Sequence, residues 1–173
     1  MSNTYAIADL HIGHPGILRY RTGFFHAYHH DSTILYNIQR TCGKRDTLYL
    51  LGDCFFTMDS LGLLRKIRKA VGRLHMVLGN HDTESPLRQR VLAQILKEGL
   101  VDSIHGLFKY KGAWLSHAPI HPDELRGAVC VHGHMHDRVV DDLRYVNVSC
   151  ERTGYEPVNL KTIIDKAKEY GYR

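Results

Sequence analysis

The chain has 173 residues, 43% of them hydrophobic, with 23 Lys and Arg against 18 Asp and Glu, a formal net charge of +5 and 13 histidines. That length fits a single domain, residues 1–173, with one substantial core, and no apolar run approaches the roughly 18 residues of a membrane helix. The excess of cations favours anionic partners such as phosphates, nucleotides or nucleic acid.

Met1-Ser2-Asn3 leads straight into a strand, Thr4–Ala8, with no basic or long apolar leader, which predicts a cytoplasmic protein. The strand ends at Asp9-Leu10-His11, and Ile12-Gly13-His14-Pro15-Gly16 is turn-like. Residues 17–26 mix aromatics and cations without a clean period. They read either as a wall or lid over a substrate or as a loop that packs its aromatics on the core.

Asp31 or Ser32 caps a helix with Ile34, Leu35 and Ile38 on one face, ended by Gly43. The strand Thr47–Leu51 delivers Gly52-Asp53. Asp59 or Ser60 opens a helix with Leu63, Leu64, Ile67 and Val71 inward, and its basic run 65–69 reads first as a solvated face. Leu74–Leu78 is a short apolar strand running into Gly79-Asn80-His81-Asp82, at a strand end, where α/β proteins place ligands. Ser85 and Pro86 then start a helix carrying Leu87, Val91, Leu92, Ile95 and Leu96, with Gly99 past its end. This β-α order repeats three times and predicts a parallel layer with right-handed crossovers.

From residue 100 the pattern changes to short strands at 101–104, 107–110, 113–116, 128–131 and 145–148, with Lys111-Gly112 at a hairpin tip. Two of them run into histidine, at His117 and at His132-Gly133-His134-Met135-His136. A last helix spans 159–169. The pattern predicts two sheets face to face with helices outside. Cys42, Cys54, Cys130 and Cys150 form no CxxC pair, which excludes a zinc knuckle and predicts free thiols.

The His, Asp and Asn residues sit at strand ends far apart in sequence, so only the fold brings them together. Oxygen and nitrogen donors from several loops, with one shared carboxylate, are what a binuclear metal centre needs. Two ions roughly 3.5–4 Å apart clamp a phosphoryl group and acidify a water between them. Such a donor set suits Mn, with Fe, Ni or Zn as alternatives, better than Ca or Mg.

Asp9-x-His11, Gly52-Asp53, Gly79-Asn80-His81-Asp82, Ser116-His117-Ala118-Pro119 and Gly133-His134-x-His136 together resemble the signature blocks of the calcineurin-like metallophosphoesterases, in family order. The small bacterial and phage branch looks most similar, since it too continues as His-x-Gly-His and an Arg and aromatic segment, here His11-Ile12-Gly13-His14 and Arg19-Tyr20. The resemblance implies a four-layer α/β/β/α sandwich with two mixed sheets. It implies one metal on Asp9, His11, Asp53 and His136, and another on Asp53, Asn80, His117 and His134, with Asp53 bridging. His81 would contact the phosphate and protonate the leaving oxygen, and Asp82 would orient His81. Many relatives carry a second acidic residue after Gly-Asp, where this chain continues Cys54-Phe55-Phe56.

The function implied is a phosphoric ester hydrolase with a metal-bridging hydroxide. Without an evident cap insertion, it favours phosphodiesters or nucleotide-type substrates. A phosphomonoesterase, a non-catalytic metal-binding scaffold and a nucleic-acid-binding module are the alternatives. His14, Arg19 and Arg21 follow the first motif and are expected to meet substrate phosphate. Oligomeric state is not legible.

Overall fold

The computed structural model describes residues 2–172; Met1 and Arg173 of the expected single domain lie outside the described residues. Thr4–Ile7 is β1, Ala27–Thr41 is α1, Thr47–Leu51 is β2, Leu61–Ala70 is α2, Arg73–Val77 is β3 and Pro86–Lys97 is α3. Ser103–His105 (β4), Phe108–Tyr110 (β5) and Ala113–Leu115 (β6) follow, then Pro122–Leu125 (α4), Cys130–His132 (β7) and Tyr145–Asn147 (β8). Cys150–Thr153 (α5), Val158–Asn159 (β9) and Leu160–Glu169 (α6) close the chain.

The strands form two mixed sheets, in the orders β4-β3-β2-β1-β9 and β5-β6-β7-β8. In the first, β1 to β4 run parallel and only β9 is antiparallel. In the second, β5 is antiparallel to β6, while β6, β7 and β8 run parallel. With flanking helices, this is the α/β sandwich that the motif resemblance implies.

Alternation along the strands splits the core in two. Ile7, Leu48, Leu50, Leu74 and Met76 face α1, α2 and α3, where they meet Ile34, Ile38, Leu64, Ile67, Val91 and Ile95. The opposite face of the same strands, Ala6, Ala8, Tyr49, Leu51 and Val77, packs on Ala113, Leu115, Val129 and Val131 of the second sheet. Helix α6 adds Leu160, Ile163, Ile164 and Ala167 to that inter-sheet core. Tyr145 of β8 donates its hydroxyl to the Ile120 carbonyl at 2.7 Å, tying down the segment that leads into α4.

Two boundaries differ from the sequence reading. The stretch 101–104 was expected among the later strands, but Ser103 pairs with His75, so β4 is the last parallel strand of the first sheet. The crossover through α3 delivers the next strand beside β3. Helix α1 begins at Ala27, ahead of Asp31, because the His26 imidazole accepts the His29 N–H at 2.9 Å and caps the helix as a short polar side chain would. The cap at Ser85, with Pro86 in the first turn, falls where the sequence places it; Ser60 stands at the start of α2, but its hydroxyl donates to the Thr57 carbonyl at 2.5 Å and caps no helix N–H. In the basic run, Arg65 and Arg68 pair with Glu98 and Asp102, as befits a solvated face.

A candidate metal centre at the strand ends

The five motifs leave the carboxyl ends of β1, β2, β3, β6 and β7, and their backbones are stitched to one another. Asp9 N–H donates to the Gly52 carbonyl at 3.1 Å, His11 N–H to Asp53 at 3.0 Å and Gly133 N–H to His117 at 2.8 Å. Five of the eight non-glycine residues with positive φ among the described residues are here: Asp9, His11, Asp53, His134 and His136, at φ 51° to 67°. Left-handed backbone costs a residue with a β-carbon on the order of 1–2 kcal/mol, and it persists where the surroundings over-determine it. A side chain on Gly79 would fall on the Asp53 carboxylate, and one on Gly133 on that of Asp9. Glycine there lets motif loops touch.

The donors gather in two groups. One ligand atom each of Asp9, His11 and His136 lies within 4.8 Å of the other two, and the same holds for Asp53, His117 and His134. Asn80 joins the second group, with Oδ1 3.0 Å from His117 Nε2. His117 Nε2 is also 3.2 Å from Asp53 Oδ2 and 3.2 Å from His134 Nδ1. Its other nitrogen, Nδ1, donates to the Leu51 carbonyl at 2.9 Å, which fixes the ring with Nε2 toward the group.

These residues suit a cation. Asp9 Oδ1 and His11 Nε2 are buried without any hydrogen-bond partner, and they face each other at 3.9 Å. That gap is too wide for a hydrogen bond, yet it is within the span of up to about 4 Å that two donors each about 2.0–2.2 Å from one metal ion can bridge. Buried polar atoms left unpaired cost on the order of 1–3 kcal/mol each, so the pair points to an ion as partner.

Charge follows the same grouping. Burial holds the imidazoles of His11 and His134 below the usual histidine range, in the neutral form that binds metal. At His117 burial works the same way, but the Asp53 carboxylate outweighs it and lifts the imidazole to about 9; Asp53 is lowered in turn. His136 is raised by its hydrogen bond to Glu151, 2.9 Å from Nδ1.

His81 lies beside the second group, Nε2 4.0 Å from Asp53 Oδ2, and its N–H donates to Asp53 Oδ1 at 2.9 Å. Its Nδ1 meets Glu84 at 2.5 Å, so Glu84, not Asp82, orients the ring. Asp82, expected to orient His81, makes no hydrogen bond to it. Its carboxylate points the other way and accepts the N–H groups of Gly79 at 2.7 Å, Asp53 at 3.0 Å and Cys54 at 3.3 Å. It locks the second and third motifs together from below, and burial raises its pKa to about 6. Cys54 only packs: it is fully buried, its thiol donates to the Gly52 carbonyl at 3.2 Å, and burial pushes its pKa well up.

Arg21 departs from its expected role as well. Its side chain is buried, donating to the carbonyls of Asp9 at 2.6 Å and Leu10 at 3.2 Å and, through Nε, to Glu151 at 2.8 Å. It clamps the first motif from behind and faces away from any substrate. His30, buried as well, stands 2.7 Å from Arg21 and 2.7 Å from Asp31. Glu151 escaped the sequence reading, because a lone acidic residue in a four-residue helix carries no period or motif. His14 and Arg19 line a cleft of about 720 Å³ that opens from His11, His81 and His136. A second cleft, about 530 Å³, opens past Asn80, His117 and His134.

Comparison with known proteins identifies the family. The family profile of the calcineurin-like phosphoesterases matches residues 3–168. The chain is 35% identical over 91 residues to the gene 66 protein of Mycobacterium phage L5, a match that covers 51% of this chain and 44% of that one. The gene 66 protein of phage D29 is 27% identical over 81% of both chains. A crystal structure of an Aquifex aeolicus protein of unknown function superposes with a TM-score of 0.73 and 26% identity, covering 96% of this chain and 99% of that one. Among the described residues, no helix is long and apolar enough to cross a membrane.

Proposed function

Because the chain belongs to the calcineurin-like phosphoesterase family, we propose that it hydrolyses phosphoric diesters, nucleotide-type diesters foremost, at a two-metal centre. Asp9, His11 and His136 would hold one divalent ion, and Asn80, His117 and His134 the other, with Asp53 shared. Mn suits these oxygen and nitrogen donors, as do Fe, Ni and Zn. Such ions, when bound, supply Lewis acidity and a nucleophilic water at neutral pH.

The chain's own contribution is positioning and proton transfer. Glu84 accepts the Nδ1 proton of His81 and leaves Nε2 on the side of Asp53. From there Nε2 donates to a phosphoryl oxygen, or gives its proton to the departing ester oxygen. Asp82 and Arg21 keep the motif loops in left-handed backbone, so that the donors converge before substrate arrives.

The unpartnered Asp9 Oδ1 and His11 Nε2, facing each other inside a ring of further donors, carry this reading. Clefts on both sides of the donors leave room for a group on each ester oxygen, which favours diesters over monoesters. A non-catalytic scaffold has no use for the full donor set together with a free imidazole nitrogen at His81. The test is to strip the protein with chelator, reload it with Mn, count ions by elemental analysis, and assay bis(p-nitrophenyl) phosphate against p-nitrophenyl phosphate. Two ions per chain and a preference for the diester are expected. One ion in fully active protein would overturn the two-metal assignment, and a preference for the monoester would overturn the substrate class.

A further inference from the structure

The two clefts beside the donors differ in chemistry. The one past Asn80 and His134 is lined by Leu78, Leu107, Pro119 and Ile120 and holds no Lys or Arg. The one past His11 and His136 is lined by Arg19 and Arg138, and by the Tyr20 ring, which is 78% exposed and 6.3 Å from the His14 ring. We propose that this second cleft binds the part of a nucleotide substrate that bears a further phosphate beyond the scissile one. The two guanidinium groups take the phosphate and Tyr20 takes the base. The proposal rests on the phosphoesterase reading and adds which side of the substrate lies where.

Arg19 and Arg138 line the cleft without a carboxylate partner among the described residues, as do several arginines elsewhere on the surface, so both guanidinium groups are free to meet an anion there. Of the carboxylates in the cleft, Glu151 is taken by Arg21 and His136, which leaves Asp137 on the rim as the one acid to set against the two cations. Both arginine segments are anchored to the candidate metal centre. Asn147 donates its side-chain N–H groups to the carbonyls of His136 at 3.0 Å and Arg138 at 2.8 Å. In the other segment, Arg19 N–H donates to Gly16 at 3.0 Å, and Gly16 N–H to His14 Nδ1 at 3.1 Å. With Nδ1 accepting, a neutral His14 carries its proton on Nε2 and offers one more donor inside the cleft.

A planar guanidinium fork matches phosphate oxygens two at a time. An exposed tyrosine ring stacks any base, and Met135 lines the floor as an adaptable apolar surface. The cleft volume of about 720 Å³ falls in the range of small-ligand sites. A single bisphosphorylated nucleotide and a continuous strand share this phosphate, sugar and base chemistry.

Binding of thymidine 3′,5′-bisphosphate and of thymidine 5′-monophosphate to the Mn-loaded protein, measured by calorimetry, tests the proposal. The bisphosphate should bind roughly tenfold tighter or more, as suits a charge-assisted contact. Arg19→Ala and Arg138→Ala should each erase most of that advantage while metal content by elemental analysis stays intact. Tyr20→Ala should weaken both nucleotides. A four-nucleotide single strand that binds no tighter than the bisphosphate assigns the cleft to one nucleotide; affinity that keeps rising with length assigns it to a strand passing through. Equal binding of the two nucleotides by the unaltered protein, or an advantage indifferent to both arginines, would overturn the proposal. Turnover plays no part in this measurement. Failure to hydrolyse any ester, with the bisphosphate advantage intact, would remove the catalytic reading alone. Turnover of bis(p-nitrophenyl) phosphate without that advantage would remove the cleft assignment alone.

Discussion

Arg21 and Glu151, 130 positions apart, meet through Nε and Oε1 at 2.8 Å, and the same Oε1 stands 2.9 Å from His136 Nδ1. The guanidinium also holds the carbonyls of Asp9 and Leu10. One buried cation thereby sets the positions of two residues of the first donor group.

Arg21→Ala should act on stability and metal retention. It strands Glu151 and two carbonyls in a buried setting, and removal of one partner of a buried pair costs about 3–5 kcal/mol. For a chain of this size that is a fall of roughly 10 °C in Tm. Glu151→Gln keeps an acceptor near His136 but drops the charge, and should weaken metal at the Asp9 group by about 10–100-fold. Thermal melts and Mn titrations check both. A raised KM with unchanged Tm and metal affinity in Arg21→Ala would return Arg21 to the substrate side.

Asp82→Ala leaves the N–H groups of Gly79, Asp53 and Cys54 without their acceptor. Buried donors stranded in this way cost about 1–3 kcal/mol each, less whatever water replaces, so a loss of about 2–4 kcal/mol is expected. Asp82→Asn keeps one acceptor oxygen and should lose less than Asp82→Ala. Denaturant melts of the metal-free proteins decide it, and equal stability of all three would remove the anchoring role.

How much of this was open to a reader of the chain follows from where the information lies. The donors stand in short motifs next to glycines, each at the end of an apolar run, so period and spacing sufficed to place Asp9, Asp53, Asn80, His117 and His134 at strand ends. The supports are legible only in three dimensions. Arg21 sits in an aperiodic segment, where nothing separates a buried guanidinium from a solvated one. Asp82 adjoins His81 in sequence, yet the tight turn sends the two side chains apart. Glu84 was within reach: in a turn, positions i and i+3 come together, and His81 and Glu84 have that spacing. Helix α1 starts early for a similar reason, since a histidine cap is a rare substitute for Ser or Asp.

Metal uptake at the second group should release a proton. In the metal-free protein His117 keeps its proton up to about pH 9, because Asp53 outweighs burial, whereas an ordinary histidine has lost it above 6.5. The sign follows: the charged His117 stabilises the metal-free fold fully below pH 6.5, and that contribution is lost as pH rises through about 9. An ion on Nε2 must displace this proton. Affinity should therefore rise about tenfold per pH unit across neutrality and level off near pH 9. Calorimetry at pH 7 in buffers of different ionisation enthalpy counts the proton, and the release should vanish in His117→Asn. Uptake with no proton released at pH 7 would contradict the His117–Asp53 pairing.

The role of His81 turns on its two nitrogens. Nδ1 is engaged by Glu84, and Nε2 stands 4.0 Å from Asp53 Oδ2 without a close partner of its own. His81 therefore has a free nitrogen beside the second donor group, which is complete without it. If Nε2 hands a proton to the departing oxygen, the benefit depends on how much that oxygen needs one. A p-nitrophenolate leaves readily unprotonated, while the alkoxide of a nucleoside does not. His81→Ala should keep both metals and lose roughly 10²–10⁴-fold in kcat on a nucleoside or alkyl diester, but far less on bis(p-nitrophenyl) phosphate. Glu84→Gln should show the same pattern more weakly, since it releases the ring without removing the nitrogen. Equal losses of His81→Ala on both esters would make Nε2 a phosphate-binding donor, and loss of a metal ion would make it a ligand. In either case the proton-transfer role would fall.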